Sequence, residues 1–261
     1  MNNPDIVEFD TEFKNLQNSY FHFETIPSTN SYLLDADAEH GTVALADYQT
    51  SGRGRKHRKW LTPKSKSLLF SILLQENLEE LPHYIYTFLS SVAVYEAIDK
   101  CSKSANPALK WPNDVLLNSK KVCGILTESK ANSNRLKKVV VGIGLNINQG
   151  QEYFADNDLK FGTSLRIETG KNYDLKRILE SVLSHFDQNL SLAFAKGGEH
   201  ILNKWRKYCP YINRTITLTT DHARVSGVFK DIADDGGLVL KIGEEEKKFY
   251  AGDVSFDKRS L

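Results

Sequence analysis

The apolar positions of this chain change their spacing as it runs, and each change announces a different kind of element. Ser67–Leu74 is a compact apolar run of strand length, Ser-Leu-Leu-Phe-Ser-Ile-Leu-Leu, and reads as a strand. Leu81 to Lys100 then places Ile85, Phe88, Leu89, Val92 and Tyr95 at helical spacing, and these read as core positions. Leu109–Leu117, Val122–Ser129 and Lys137–Asn148 read as three further strands, the last two rich in β-branched residues. Asp174 is placed to cap a helix running to about residue 194, whose buried stripe is Leu175, Ile178, Leu179, Val182, Leu183 and Phe186. A second helix fits 199–208. After Pro210 the texture shortens into alternating runs at 215–219, 224–229, 238–242 and 247–250, separated by Asp234-Asp235-Gly236-Gly237 and Gly243-Glu244, which are turn signals.

Earlier in the chain, Ser28-Thr29-Asn30 precedes a short apolar stretch and predicts a capped helix with hydroxyls at its N-terminus. Residues 42–48 form a short strand candidate leading into a glycine- and arginine-rich loop. The polar segment 152–172, with Gly162 and Gly170, is a long connection of the kind that covers a ligand. The pattern predicts an α+β fold: a catalytic-sized domain over residues 1–212 with a central sheet, and a small β-barrel over 213–261.

Composition adds limits. The 261 residues carry a formal charge of +1, which argues against a bulk nucleic-acid coat or a membrane-surface binder. Cys101, Cys123 and Cys209 are widely spaced and form no Cys-x-x-Cys pair, so neither a disulfide framework nor a zinc ribbon is expected. The first fifteen residues are polar and acidic, and no run approaches the roughly 20 apolar residues of a membrane span. The expected location is the cytoplasm, with no membrane and no DNA as partners.

Against that neutral background, residues 48–75 contain no Asp or Glu while Arg53, Arg55, Lys56, Arg58, Lys59, Lys64 and Lys66 are all cationic. A charge so local points to a local anion. Gly52 and Gly54 let the backbone approach a ligand, and the forks of Arg53 and Arg55 suit phosphate or carboxylate. A solvated basic loop, or an Arg-Gly nucleic-acid tether, reads the same segment differently. Further on, Lys110-Trp111-Pro112-Asn113-Asp114 is followed by Lys121 and Gly124. Asn113 and Asp114 offer oxygen ligands to a hydrated magnesium ion, Lys121 a cation to the same cleft, and Gly124 a flat strand surface. Read singly, Pro-Asn-Asp is a turn and Lys121 a solvated hairpin residue.

The ordered set resembles the biotin–protein ligases. It comprises Ser28-Thr29-Asn30; Gln49 with Gly52-Arg53-Gly54-Arg55 through Trp60; Lys110–Asp114 with Lys121 and Gly124; Gly142–Asn148; and a weaker Gly252-Asp253-Val254-Ser255. The resemblance implies a catalytic domain of the class II aminoacyl-tRNA synthetase type with a mixed or antiparallel sheet, followed by an SH3-like barrel. It implies that biotin and MgATP form biotinyl-5′-adenylate, whose biotinyl group passes to one lysine of a biotin carboxyl-carrier domain. No tightly bound prosthetic group is expected.

Carried over by motif, Ser28, Thr29 and Gln49 are expected at the ureido ring, with Gly52, Arg53, Arg55, Lys121 and Gly124 completing the biotin site. Arg53, Arg55, Arg58, Trp60, Asn113 and Asn146 are expected at the nucleotide, although Trp60 also reads as a core residue closing the loop and Asn146 as a strand terminator. Lys121, Arg55, Asp114 and Lys110 are the catalytic expectations, Lys121 foremost, and Asp114 is the magnesium expectation, mostly through water and phosphate. His57 stands where many relatives have glycine, and a solvent-facing role is expected for it. About twenty residues precede the first motif, so no DNA-binding domain and no repressor role are expected. Monomer and homodimer are both open, with residues 139–148 as the strand edge for an interface. A lipoate–protein ligase and a nucleic-acid-binding module are the alternatives; the Lys-Trp-Pro-Asn-Asp block favours biotin.

Overall fold

The computed structural model describes residues 3–132 and 135–256. Two sheets organise it. The first contains β1 (Asp5–Glu8), β2 (Ser19–Phe23), β3 (Val43–Ala46), β4 (Ser67–Leu74), β5 (Pro107–Lys110), β6 (Asp114–Leu117), β7 (Lys120–Asn132) and β8 (Arg135–Asn146). Its spatial order is β1-β2-β3-β4-β8-β7-β6-β5, antiparallel except for the parallel pair β2–β3. It is therefore mixed, as the resemblance implies.

Strand β4 shows why its sequence lacks alternation. Leu68, Phe70, Ile72 and Leu74 join the large core beneath α2 (His83–Cys101), α5 (Leu175–Lys196) and α6 (Gly198–Tyr208), while Leu73 joins a smaller core beneath α1 (Thr29–Asp35). A strand covered on both faces has no polar side to show. The same division runs through β8, where Val139, Val141, Ile143 and Leu145 enter the large core. Gly142, Gly144 and Asn146 alternate with them onto the α1 face.

Three expectations change. Residues 109–117 are not one strand but a hairpin, β5 turning through Trp111-Pro112-Asn113 into β6, with Lys110 paired to Asp114. Pro112 has no N–H for a ladder, so the run breaks there. Residues 139–148 are not an edge, because β8 is paired on both sides, to β4 and β7; the edges are β1 and β5. The connection 152–172 carries two short helices, α3 (Gln151–Asp156) and α4 (Leu165–Thr169). Strands β1 and β2 carry no expectation above and extend the sheet beyond β3.

The second sheet is antiparallel and follows the helices: β9 (Thr215–Thr219), β10 (Arg224–Ile232), β11 (Leu238–Ile242), β12 (Glu245–Phe249) and β13 (Asp253–Phe256), in the order β12-β11-β10-β9-β13. It docks on the first unit through one buried and one exposed hydrogen bond. Trp111 Nε1 donates to the Gly236 carbonyl at 3.1 Å, and Tyr84 donates its hydroxyl to the Asp234 carbonyl.

Candidate active site

A cavity of about 360 Å³ opens on the α1 face of the large sheet. Its lining includes Ser28, Thr29 and Gln49; the loop residues Arg53, Arg55, Arg58 and Trp60; Lys110, Asn113, Asp114, Lys121, Gly124 and Asn146; and Asp253 and Val254 of the second sheet. Of the residues expected from sequence at substrate or catalysis, Gly52 alone does not line it; Gly52 instead anchors the loop, accepting from Trp60 N at 2.9 Å.

Lys121 reaches the cavity because of a bulge. On β6, Val115 pairs with Cys123 and the next residue, Leu116, pairs with Lys121, so Val122 is an extra residue in β7. Regular alternation would put Lys121 and Gly124 on opposite faces; the inserted residue brings them to the same one. A Cβ on Gly124 would lie 3.2 Å from Lys121 Nζ. Both backbone groups of Lys121 are also held, its N–H by the Phe161 carbonyl at 2.7 Å and its C=O by Thr163 N at 2.9 Å.

Around that ammonium the charges are close. Lys121 Nζ stands 2.6 Å from Asp114 Oδ1, an ion pair without hydrogen-bond alignment, and Lys110 Nζ stands 3.8 Å from Asp114 Oδ2. Burial lowers the Lys110 pKa below the ordinary lysine value, against the opposing pull of Asp114. Burial likewise lowers Arg55, opposed by Asp253 and Asp114. Arg55 reaches the Asn113 side chain at 3.4 Å and has no carboxylate in salt-bridge range among the described residues.

The basic loop is not a free cationic field. Arg53 pairs with Glu128 at 3.1 Å, Lys56 with Asp221, and Arg58 with Asp253 through both carboxylate oxygens. Arg58 is raised by its hydrogen bond to Asp253; Asp253, although burial pushes it up, is held below the usual carboxylate range by that bond and by the neighbouring Arg58, Lys56 and Arg55 charges. The loop folds on itself through Gly54 N to the Arg58 carbonyl, with a single 3-10 turn at Arg55–His57. His57 is exposed, as expected, and both it and Lys56 have positive φ, 58° and 54°.

The glycine surface carries the Trp60 indole. A Cβ on Gly144 would come within 2.5 Å of that ring and one on Gly124 within 2.8 Å, and Lys121 Nζ lies 5.5 Å from the ring centroid. Trp60 is thus the flat group on this strand surface. Asn146 is committed internally, donating to the Thr163 carbonyl at 3.0 Å and accepting from Gln149 at 2.8 Å; the strand-terminating role is the one its bonds display. The connection expected to cover a ligand supplies a lip at Asp158–Gly162, which lines the cavity with Phe161 76% exposed, although none of these residues was singled out from sequence as a contact. An aromatic between Lys160 and Gly162 in a polar stretch was the available signal. Sequence reading also missed Ser71, discussed below.

The residues present do not by themselves suit a metal ion. Asp114 is flanked by two ammonium groups, and among the described residues no three His, Cys, Asp or Glu side chains cluster for one.

A mixed sheet backed by helices and a second antiparallel sheet completing the rim thus enclose a cavity where arginines and lysines gather against a polar wall, a site suited to an anionic ligand. The biotin/lipoate A/B protein ligase family matches residues 22–146, and the biotin protein ligase C-terminal domain matches residues 211–257. The chain belongs to the biotin–protein ligase family. It is 33% identical over 224 residues to the bifunctional ligase/repressor BirA of Bacillus subtilis, covering 85% of this chain and 68% of that protein. It is 31% identical over 214 residues to the biotin–[acetyl-CoA-carboxylase] ligase of Paracoccus denitrificans, covering 81% and 89% respectively. The biotin protein ligase of Aquifex aeolicus, solved with biotin and ATP, superposes with a TM-score of 0.77 at 31% identity over 93% of this chain and 98% of that one.

Proposed function

We propose that this protein joins biotin to ATP, forming biotinyl-5′-AMP and releasing pyrophosphate, and then transfers the biotinyl group to a lysine amine of a biotin carboxyl-carrier domain, forming the amide and releasing AMP. The observation that carries this reading is the convergence of Lys121, Arg55 and Lys110 on the cavity that also holds the polar wall of Ser28, Thr29 and Gln49. A carboxylate attacking an α-phosphate is an encounter of two anions, and cations fixed in a largely enclosed site neutralise their repulsion before reaction. Lys121 holds the biotin carboxylate and the charge that develops on the adenylate. Arg55, with no carboxylate in salt-bridge range among the described residues, takes phosphate oxygens, and Arg58 exchanges Asp253 for the polyphosphate. Trp60 covers the adenylate against water. Asp114 orients the incoming amine, and Lys110, in the fraction that burial leaves neutral, receives the proton.

The catalytic unit is read as residues 1–212 and the small unit as 213–261. The cytoplasm is the proposed location, supported by three free cysteines; among the described residues no helix is long and apolar enough to cross a membrane.

ATP–pyrophosphate exchange in parallel with biotin, lipoate and no acid tests the reading. Exchange with biotin alone is expected. Exchange driven by lipoate would overturn the acyl substrate, and a folded sample exchanging with neither acid would overturn the reaction.

A further inference from the structure

Ser71 lies in a strand otherwise made of Leu, Phe and Ile apart from its first residue, is fully buried, and has no part in the chemistry above. Its Oγ is 2.7 Å from Thr29 Oγ1 and 2.5 Å from Asn30 Oδ1, and Thr29 Oγ1 is 3.2 Å from Gln49 Oε1. Neither end of this series can reverse its sense. Asn30 Nδ2 faces two acceptors, the Leu126 carbonyl at 3.1 Å and Glu128 Oε2 at 2.8 Å, so its oxygen must face Ser71. Gln49 accepts Thr29 N–H at 2.8 Å, so its oxygen must face Thr29.

Three oxygen–oxygen contacts therefore join two pure acceptors through two hydroxyls, and two hydroxyl protons cannot fill three contacts. The Ser71 proton takes the shortest contact, to Asn30. The Thr29 proton then goes to Ser71. The longest contact, Thr29 to Gln49, is left with lone pairs facing each other, and both of those residues line the cavity.

We propose that Ser71 is a positioning residue for substrate choice: by drawing the Thr29 proton inward it leaves Thr29 Oγ1 and Gln49 Oε1 as paired acceptors that require an N–H donor from the head group of the acid. This rests on the functional reading above and deepens it. The cyclic urea of biotin carries N–H groups at its head, whereas the dithiolane of lipoate carries none. An acid without that donor would leave the lone pairs of buried Thr29 Oγ1 facing those of half-buried Gln49 Oε1 with no proton between them, although Gln49 keeps its bond from Thr29 N–H, and such a mismatch discriminates between acids.

The test compares wild type with Ser71→Ala, Ser71→Cys and Ser71→Thr in acid-dependent ATP–pyrophosphate exchange, using biotin and desthiobiotin, with thermal unfolding of each variant. In Ser71→Ala the Thr29 proton is released to turn toward Gln49, so KM for both acids rises about tenfold while kcat and KM for ATP stay within about twofold. Ser71→Cys fills the same space with a weak sulfur donor, guards against loss of the fold and behaves like Ser71→Ala; Ser71→Thr keeps the hydroxyl and stays near wild type. Desthiobiotin keeps the urea and lacks the sulfur ring, so it shows the same fold loss. Wild-type KM in Ser71→Cys, or desthiobiotin spared while biotin suffers, reduces Ser71 to packing and overturns the inference. Biotin exchange by wild type with unchanged KM in Ser71→Ala overturns it and leaves the functional reading standing. No exchange by folded wild type overturns both.

Discussion

Lys121 owes its reach into the cavity to the single extra residue Val122, and its position to two backbone hydrogen bonds with the lip at 161–163. Lys121→Ala is expected to lower adenylate formation by about 10²–10³-fold, the scale for removing one fixed electrostatic group, with the fold intact because the ammonium is partly exposed; pyrophosphate exchange and circular dichroism read the two halves, and near-normal exchange would remove Lys121 from the mechanism. Lys110 makes a different prediction. Burial lowers its pKa, so the neutral amine is available at lower pH than for a free lysine, and the transfer half-reaction should rise with pH through an ionisation below the ordinary lysine value. Protonating this buried amine costs folding free energy at any pH below its folded pKa. Lys110→Met should therefore flatten the pH profile of transfer without lowering Tm; an unchanged profile would exclude Lys110 as the proton acceptor. At this scale the sequence was highly legible, because Lys110, Asp114 and Lys121 are chemically conspicuous in a short span. The bulge that aims Lys121 was not, since one inserted residue leaves no compositional trace. Ser71 was hidden for the opposite reason: a lone serine in an apolar strand looks like dilution of the pattern until its partners are known.

Between Gly52 and Trp60 the chain makes an element with little regular structure and a strained tip. Lys56 and His57 occupy consecutive left-handed conformations, each costing a side-chain-bearing residue about 1 kcal/mol, which explains why glycine suits the position of His57. His57→Gly should keep activity, as relief of strain and loss of unfolded-state restriction nearly cancel. His57→Val, with its β-branch, should open the loop, seen as faster hydrogen exchange at 52–60 and greater leakage of biotinyl-5′-AMP; equal exchange in both variants would contradict the strain argument. Arg55→Ala should also increase that leakage, with the loop hydrogen bonds within 52–60 retained. The continuous apolar run of β4 and the helical periods of α2 and α5 were legible to within a residue or two because core burial alone dictates their pattern. The β5–β6 hairpin was misread as one strand because both arms are apolar and the turn is only three residues long. The N-terminal strands escaped because β1, at the sheet edge, is mostly exposed and shows no buried face.

Across the whole molecule the question is what holds the small sheet against the large one, since Asp253 and Val254 complete the cavity rim. Besides the shared apolar core and the Arg206–Asp231 pair, two kinds of contact cross that boundary near the cavity. The ion pairs Lys56–Asp221 and Arg58–Asp253 have exposed partners, 70% for Asp221 and 64% for Arg58, and exposed pairs of this sort contribute about 0–1 kcal/mol each. The contact at Gly236 is buried. Its carbonyl accepts the Trp111 indole N–H, its φ is +79°, and a Cβ there would stand 2.7 Å from the Tyr84 ring. Docking should therefore depend on the glycine turn and not on the charges. Gly236→Ala combines backbone strain with a clash against a packed ring, and should cost about 2–3 kcal/mol; Asp221→Asn should change Tm by no more than a surface substitution does. Because Trp111 adjoins Lys110 in the hairpin that carries Asp114, the same Gly236→Ala change should reach the chemistry, slowing biotin transfer more than adenylate formation. Measuring Tm with both half-reactions for the two variants decides the point. A larger loss from Asp221→Asn than from Gly236→Ala would mean that the loop charges, and not the buried tryptophan, join the two sheets.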